Sequence, residues 1–248
     1  MVFGMTTILA IRRQFMITLN SKQKEAAEFL YGAACVIAVP GAGKTLAMTH
    51  RICNLFKNHG IPPESIIGLT ITRNAAQAMR DKLYPILQEL TSRVTLSTIH
   101  SFCNALLREE RKTFEILHGA EQIRFIRQVM QKKRIRNLPV GMVIKEISLA
   151  KNNIIGVEEF KDLYPNDDTM QKVGDVYAAY EDEKRKKLLL DFNDLLYESY
   201  KLLKEKGDVL KNYQERFNHM LVDEFQDCGI LHVNIMKLLM NNITKSSF

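Results

Sequence analysis

Cysteine is scarce and scattered. The 248 residues hold four, Cys35, Cys53, Cys103 and Cys228, with no Cys-x-x-Cys pair and no Cys/His cluster at metal-ligand spacing. That distribution excludes a zinc ribbon or a disulfide framework, and the four read as small buried residues in a reducing compartment. No apolar run is long enough to span a bilayer, which leaves no basis for a membrane helix. The opening Met1 to Ala10 is fairly apolar, but Arg12 and Arg13 follow it, whereas a secretory signal puts its charge first. Residues 1–15 are therefore expected to be a loose extension, with Met16 a candidate start and the cytoplasm the expected compartment. Acids are missing from Gln122 to Ile144, a stretch that carries Arg124, Arg127, Lys132, Lys133, Arg134 and Arg136. It reads either as a solvated helix face or as a surface that tracks phosphates. There is no internal repeat and no low-complexity tract.

The rest of the composition is that of a globular protein, 46% hydrophobic and 25% charged. The net charge of +7 favours polyanionic partners, nucleic acid first among them, or serves solubility alone.

The most informative stretch is Ala38-Val39-Pro40-Gly41-Ala42-Gly43-Lys44-Thr45, with Leu46 opening a helix to about Lys57. An apolar run, Ala34 to Ile37, precedes it and is expected to be a strand. Strand, glycine turn and helix form the context of a phosphate-binding loop. Gly41 and Gly43 let backbone N–H groups converge on an anion, and the helix points its positive end at it. Lys44 would neutralise the outer phosphates, and the Thr45 hydroxyl would reach Mg²⁺.

Around this loop the chain alternates. A helix is expected over Asn20–Leu30, strands over Ile66–Thr72 and Val94–Ser97, and helices after each. Alternation of this kind means a parallel sheet with helices on both faces. From about Arg108 to Lys187 strand-like runs fade, and an all-helical insertion is expected. The pattern returns to a buried strand at His219–Val222, which runs into Asp223-Glu224-Phe225-Gln226-Asp227, and a last helix covers about Leu231–Met240. Two acids at the end of an apolar strand are the expected partners of a phosphate loop. Asp223 would hold Mg²⁺, and Glu224 would orient or deprotonate the attacking water. In a parallel sheet both motifs meet at the carboxyl edge.

These motifs, in this order, resemble the UvrD/Rep/PcrA-like superfamily 1 DNA helicases from about Leu19 to Met240. Leu19-Asn20-Ser21-Lys22-Gln23 looks like the family's adenine-reading motif, with Gln23 as the reader. Thr70-Ile71-Thr72-Arg73-Asn74-Ala75-Ala76-Gln77-Ala78-Met79 resembles a segment that touches single-stranded DNA, although Ile71 replaces the family's aromatic. Thr98-Ile99-His100-Ser101-Phe102-Cys103 looks like a second DNA-contact motif. Asp191 to Leu196 resembles the segment that closes the inserted helical domain, and Leu221 to Asp227 matches the metal-binding motif.

The resemblance implies a RecA-like P-loop NTPase sheet flanked by helices, with an inserted all-helical subdomain, incomplete at its C-terminus. Its domains would be residues 16–107, an insertion at 108–190, and a return segment at 191–248. ATP and Mg²⁺ would be held by Gln23, Pro40, Gly41, Ala42, Gly43, Lys44, Thr45 and Leu46, with Thr45 and Asp223 on the metal and Glu224, Lys44 and Gln226 catalytic. Single-stranded DNA would meet Thr72, Arg73, Asn74, Thr98, His100 and Ser101. The expected activity is ATP-driven movement on single-stranded DNA, typically 3′ to 5′. The family's next strand, sensor motif and arginine-bearing second domain are not seen by Phe248, so slow hydrolysis is expected unless that half is supplied in cis or in trans. A DNA-binding module with a degenerate ATPase, and a P-loop NTPase of a defence or regulatory system, are the alternatives.

Overall fold

The computed structural model describes residues 19–111 and 113–240. In chain order the helices begin with α1 (Ser21–Glu28) and α2 (Lys44–His59), followed by strand β1 (Ile66–Thr70), α3 (Arg73–Leu87), β2 (Thr95–Thr98), α4 (Ile99–Arg111) and β3 (Glu115–Leu117). Then come α5 (Gly119–Lys132), α6 (Val140–Asn152), α7 (Val157–Leu163), α8 (Asp168–Lys186), β4 (Leu189–Asp191), α9 (Phe192–Glu205), α10 (Gly207–Arg216), β5 (His219–Val222) and α11 (Ile230–Met240). The described chain divides into two compact units, residues 19–99, 208–227 and 237–240 in the first, and 100–207 with 228–236 in the second.

The first unit is built on a parallel sheet in the order β2-β1-β5. Gly68 of β1 lies opposite Leu96 of β2 on one side and Leu221 of β5 on the other. Central β1 is buried along its whole length, as expected of a strand covered on both faces. Ile52 and Leu55 of α2, Met79, Leu83 and Leu87 of α3, and Leu96 and Leu221 of the sheet share one apolar cluster. Local signals set the helix ends. Asn20 and Gln23 form a reciprocal capping box at the start of α1. Gly60, with φ +66°, closes α2 by donating to the Leu55 and Phe56 carbonyls.

The second unit is helix-rich, and its core joins α5, α6, α7 and α8 through Ile126, Val129, Val143, Ile147, Phe160, Val173 and Tyr177.

Three expectations need correction. Ala34–Ile37 forms no strand. Val36, Ile37 and Val39 are 54%, 94% and 73% exposed, and a β-rich run without a paired neighbour or cover has nothing to hold it extended in a sheet. The insertion is not wholly helical, because β3 and β4 pair in parallel, Glu115 opposite Leu189 and Leu117 opposite Asp191. Of the cysteines, only Cys53 and Cys103 are buried; Cys35 is exposed and Cys228 intermediate. The expected N-terminal extension, residues 1–15, and the end of the chain after Met240 lie outside the described residues.

Candidate functional site

The loop before α2 is shaped by two left-handed glycines, Gly41 at φ +81° and Gly43 at φ +83°. Between them the Ala42 N–H donates to the Val39 carbonyl at 3.1 Å. A Cβ added to Gly41 would meet nothing within 4 Å, whereas one on Gly43 would lie 2.6 Å from Gln23 Nε2. Gln23 itself holds the loop: Nε2 donates to the Ala42 carbonyl at 2.7 Å, while Oε1 accepts the Asn20 N–H at 2.9 Å. Both ends of its amide are thus engaged within the protein. Pro40 is exposed just ahead of the turn. Lys44, Thr45 and Leu46 are the first three residues of α2 and are half-buried. That helix has no side-chain cap and no acid in its first turn. Its leading N–H groups and the positive end of its dipole are therefore available to an anion.

The acids stand at the end of β5 in the same unit. The Asp223 N–H donates to the Leu69 carbonyl at 2.9 Å, extending the ladder with β1 by one residue. The Asp223 side chain is buried and accepts the Glu224 N–H at 3.1 Å. Burial first, then the neighbouring Glu224 charge, push its pKa up, while the positive charges of Lys44 and Lys82 pull the other way. The Lys44 charge thus acts on the Asp223 carboxyl. Glu224 has φ +52°, a left-handed conformation that side chains disfavour and that clusters at functional sites. The Gln226 side-chain amide donates to the Glu224 carboxylate and fixes its direction. A buried carboxylate under the influence of nearby lysine charges, an uncapped helix start and an open glycine turn together fit Mg²⁺ and a nucleotide phosphate chain.

The expected DNA contacts occupy two places. Thr72 caps α3, its hydroxyl accepting the Ala75 N–H at 3.2 Å, and Arg73 and Asn74 are exposed in the first turn. Thr98, at the end of β2, is buried, while Ser101 in α4 is exposed. In the second unit the His100 ring stacks on Phe192, with centroids 4.1 Å apart and planes 13° from parallel. His232 meets His100 edge-on at 5.5 Å. Burial, with a smaller effect of His232, pushes the His100 pKa down to about 4, so the imidazole is neutral at physiological pH. Phe192 is 52% exposed and was not singled out from sequence. The available signal was its place between Asp191 and Asp194, the two ends of a capping box, where an aromatic at the first helical position is turned out of the core.

A glycine turn that delivers a lysine to a helix start, together with an acidic pair at the end of a parallel strand of the same unit, is the pattern of a P-loop nucleotide-binding domain. Residues 19–246 match the model of the UvrD/REP helicase N-terminal domain, and the chain belongs to that family. Among its relatives, the ATP-dependent DNA helicase PcrA of Bacillus subtilis is 32% identical over 240 residues, 92% of this chain and 32% of that protein. The proteins of the same name from Staphylococcus epidermidis and Leuconostoc citreum are each 30% identical, over 90% and 89% of this chain. The chain thus spans about a third of the length of these relatives, 32% and 31% of the last two.

Proposed function

We propose that this chain is the ATP-binding and part of the DNA-binding portion of an ATP-dependent DNA helicase or translocase that acts on single-stranded DNA, with movement 3′ to 5′. The observation that supports the reading is that the Lys44 charge acts on the buried Asp223 carboxyl, with Lys44 and Thr45 opening an uncapped α2 behind the glycine turn and Asp223 ending β5 in the same unit. When bound, Mg²⁺ polarises the phosphate oxygens and neutralises charge that develops on them. The residues divide the remaining work. Backbone N–H groups of Gly41, Gly43 and Lys44 would hold the phosphates, and Lys44 adds a full positive charge. Thr45 and Asp223 would hold the metal. Glu224 accepts a proton from the attacking water, directed by its hydrogen bond from Gln226. Gln23 braces the loop from outside, and Pro40, Ala42 and Leu46 shape its ends.

On DNA, Thr72, Arg73 and Asn74 offer hydroxyl, charge and amide to the backbone. Ser101 and the His100–Phe192 stack offer a hydroxyl and an aromatic face, and Thr98 is the proposed contact at the end of β2. The cytoplasm is the proposed compartment; among the described residues no helix is long and apolar enough to cross a membrane. The remainder of a helicase, in cis or in trans, is the proposed partner that completes turnover.

The test is Lys44→Ala, measured by binding of a fluorescent ATP analogue with Mg²⁺ and by anisotropy of a labelled oligo-dT. Nucleotide binding is expected to vanish while DNA affinity without nucleotide stays unchanged. Wild-type nucleotide affinity in the variant would overturn the assignment.

A further inference from the structure

Helix α9 begins on a closed cluster of charges. Lys151 of α6 and Lys184 of α8 are both buried, and each ammonium meets the same three carboxylates. Lys151 Nζ is 2.5 Å from Asp194, 2.7 Å from Asp191 and 2.8 Å from Glu181. Lys184 Nζ is 2.9 Å from Glu181 and 3.2 Å from Asp191, and it also contacts Asp194. Each ammonium donates hydrogen bonds to Asp191 and Asp194, and Glu181 adds a third, purely ionic contact. Tyr180 donates to Asp191 at 3.1 Å, and Gln122 of α5 donates to the Tyr180 hydroxyl at 3.3 Å. The three acids approach within 4.8 Å of one another, a spacing suited to a cation, and the two ammonium groups fill that role. Buried ion clusters of this kind hold a fold no better than apolar packing would, but they fix geometry.

What they fix here is the turn beneath Phe192. Asp191 and Asp194 cap each other: the Asp194 N–H donates to Asp191 at 3.0 Å, and the Asp191 N–H to Asp194 at 2.7 Å. Phe192 and Asn193 are the residues between. Asn193 is held as well, its Nδ2 donating to Ser148 Oγ at 2.9 Å. We propose that Lys151 and Lys184 are positioning residues for single-stranded DNA: by clamping the Asp191–Asp194 box they set the Phe192 ring flat on His100 and so orient the face that meets a base. This rests on the DNA reading given above.

Oligo-dT anisotropy on the full chain tests it, with Lys184→Met, Lys184→Arg, Phe192→Ala and the Phe192→Ala/Lys184→Met pair. The NMR signal of the His100 ring, which senses the ring current of Phe192, is recorded alongside. Loss of one stacked base is worth about tenfold in affinity. Lys184→Met is expected to lose about that much and to move the His100 signal toward its position in Phe192→Ala. Lys184→Arg is expected to fall between, and Lys184→Met to add nothing once Phe192 is gone. Should Lys184→Met fail to fold, Lys184→Arg decides alone, because it keeps the charge and changes only the geometry. Folded Lys184 variants with wild-type affinity and an unmoved His100 signal would overturn the proposal, as would a full additional loss in the Phe192→Ala background. If Phe192→Ala binds oligo-dT normally, the DNA reading of this face fails, and the positioning proposal with it. A cage that merely holds the ring would still show in the His100 signal, so the two failures can be told apart.

Discussion

Asp223 is buried at the end of β5 with an acid beside it, and both conditions favour its protonated form. A carboxyl whose pKa is raised by folding loses stability for the protein as pH rises through that value. Asp223→Asn should therefore raise the melting temperature of the metal-free protein, more at pH 8 than at pH 4. Thermal denaturation in chelator checks this, and a lower melting temperature would mean that the carboxylate supports the fold. His100 has the opposite sign. Its pKa falls from 6.5 to about 4 on burial, so its contribution is complete above 6.5 and is lost as pH falls through that window. His100→Asn should flatten the fall in melting temperature between pH 7 and pH 4.5, and an unchanged slope would count against the buried neutral imidazole. Much of the local placement was legible: Gly-Lys-Thr does open a helix behind two left-handed glycines, and Asp-Glu does follow a parallel strand. The engagement of Gln23 with the Ala42 carbonyl was not legible, since a contact across nineteen positions leaves no local trace.

The loop and its helix carry a prediction at the next scale. Both glycines sit at positive φ, but only at Gly43 would a Cβ collide with another side chain. Each Gly→Ala change carries about 1–3 kcal/mol of backbone strain, and Gly43→Ala should weaken Mg-nucleotide binding more than Gly41→Ala because it alone also displaces Gln23. Equal effects in a nucleotide titration would show that conformation alone matters. Helices were easier to read than strands. Asn20, Thr72 and Asp191 each cap a helix, and caps are local chemistry. The run Ala34–Ile37 has strand composition, yet a strand exists only with a neighbour, which no stretch of sequence can supply for itself. The pair β3 and β4 failed for the opposite reason: three residues each are too few to show a period.

At the scale of the molecule, the excess positive charge should govern association with DNA. Arg124 and Arg127 lie exposed on α5, and Lys133, Arg134 and Arg136 follow them, also exposed. Lys132 differs, pairing with Glu183 at 3.0 Å. For single strands the salt slope is roughly −0.7 per phosphate neutralised. If this face tracks phosphates, Arg124→Gln with Arg127→Gln should reduce the slope of log K against log salt by roughly 1.4. An unchanged slope would leave it a solvated surface. The central claim is narrower: one magnesium-bound triphosphate joins the start of α2 to the end of β5. Its most direct test is the Mg²⁺ dependence of ATP-analogue binding in the wild type, Asp223→Asn, Lys44→Ala and the double variant. We predict that Mg²⁺ tightens binding in the wild type, that Asp223→Asn loses the increment, and that Lys44→Ala loses binding altogether. Equal tightening by Mg²⁺ with and without the Asp223 carboxylate would contradict the account.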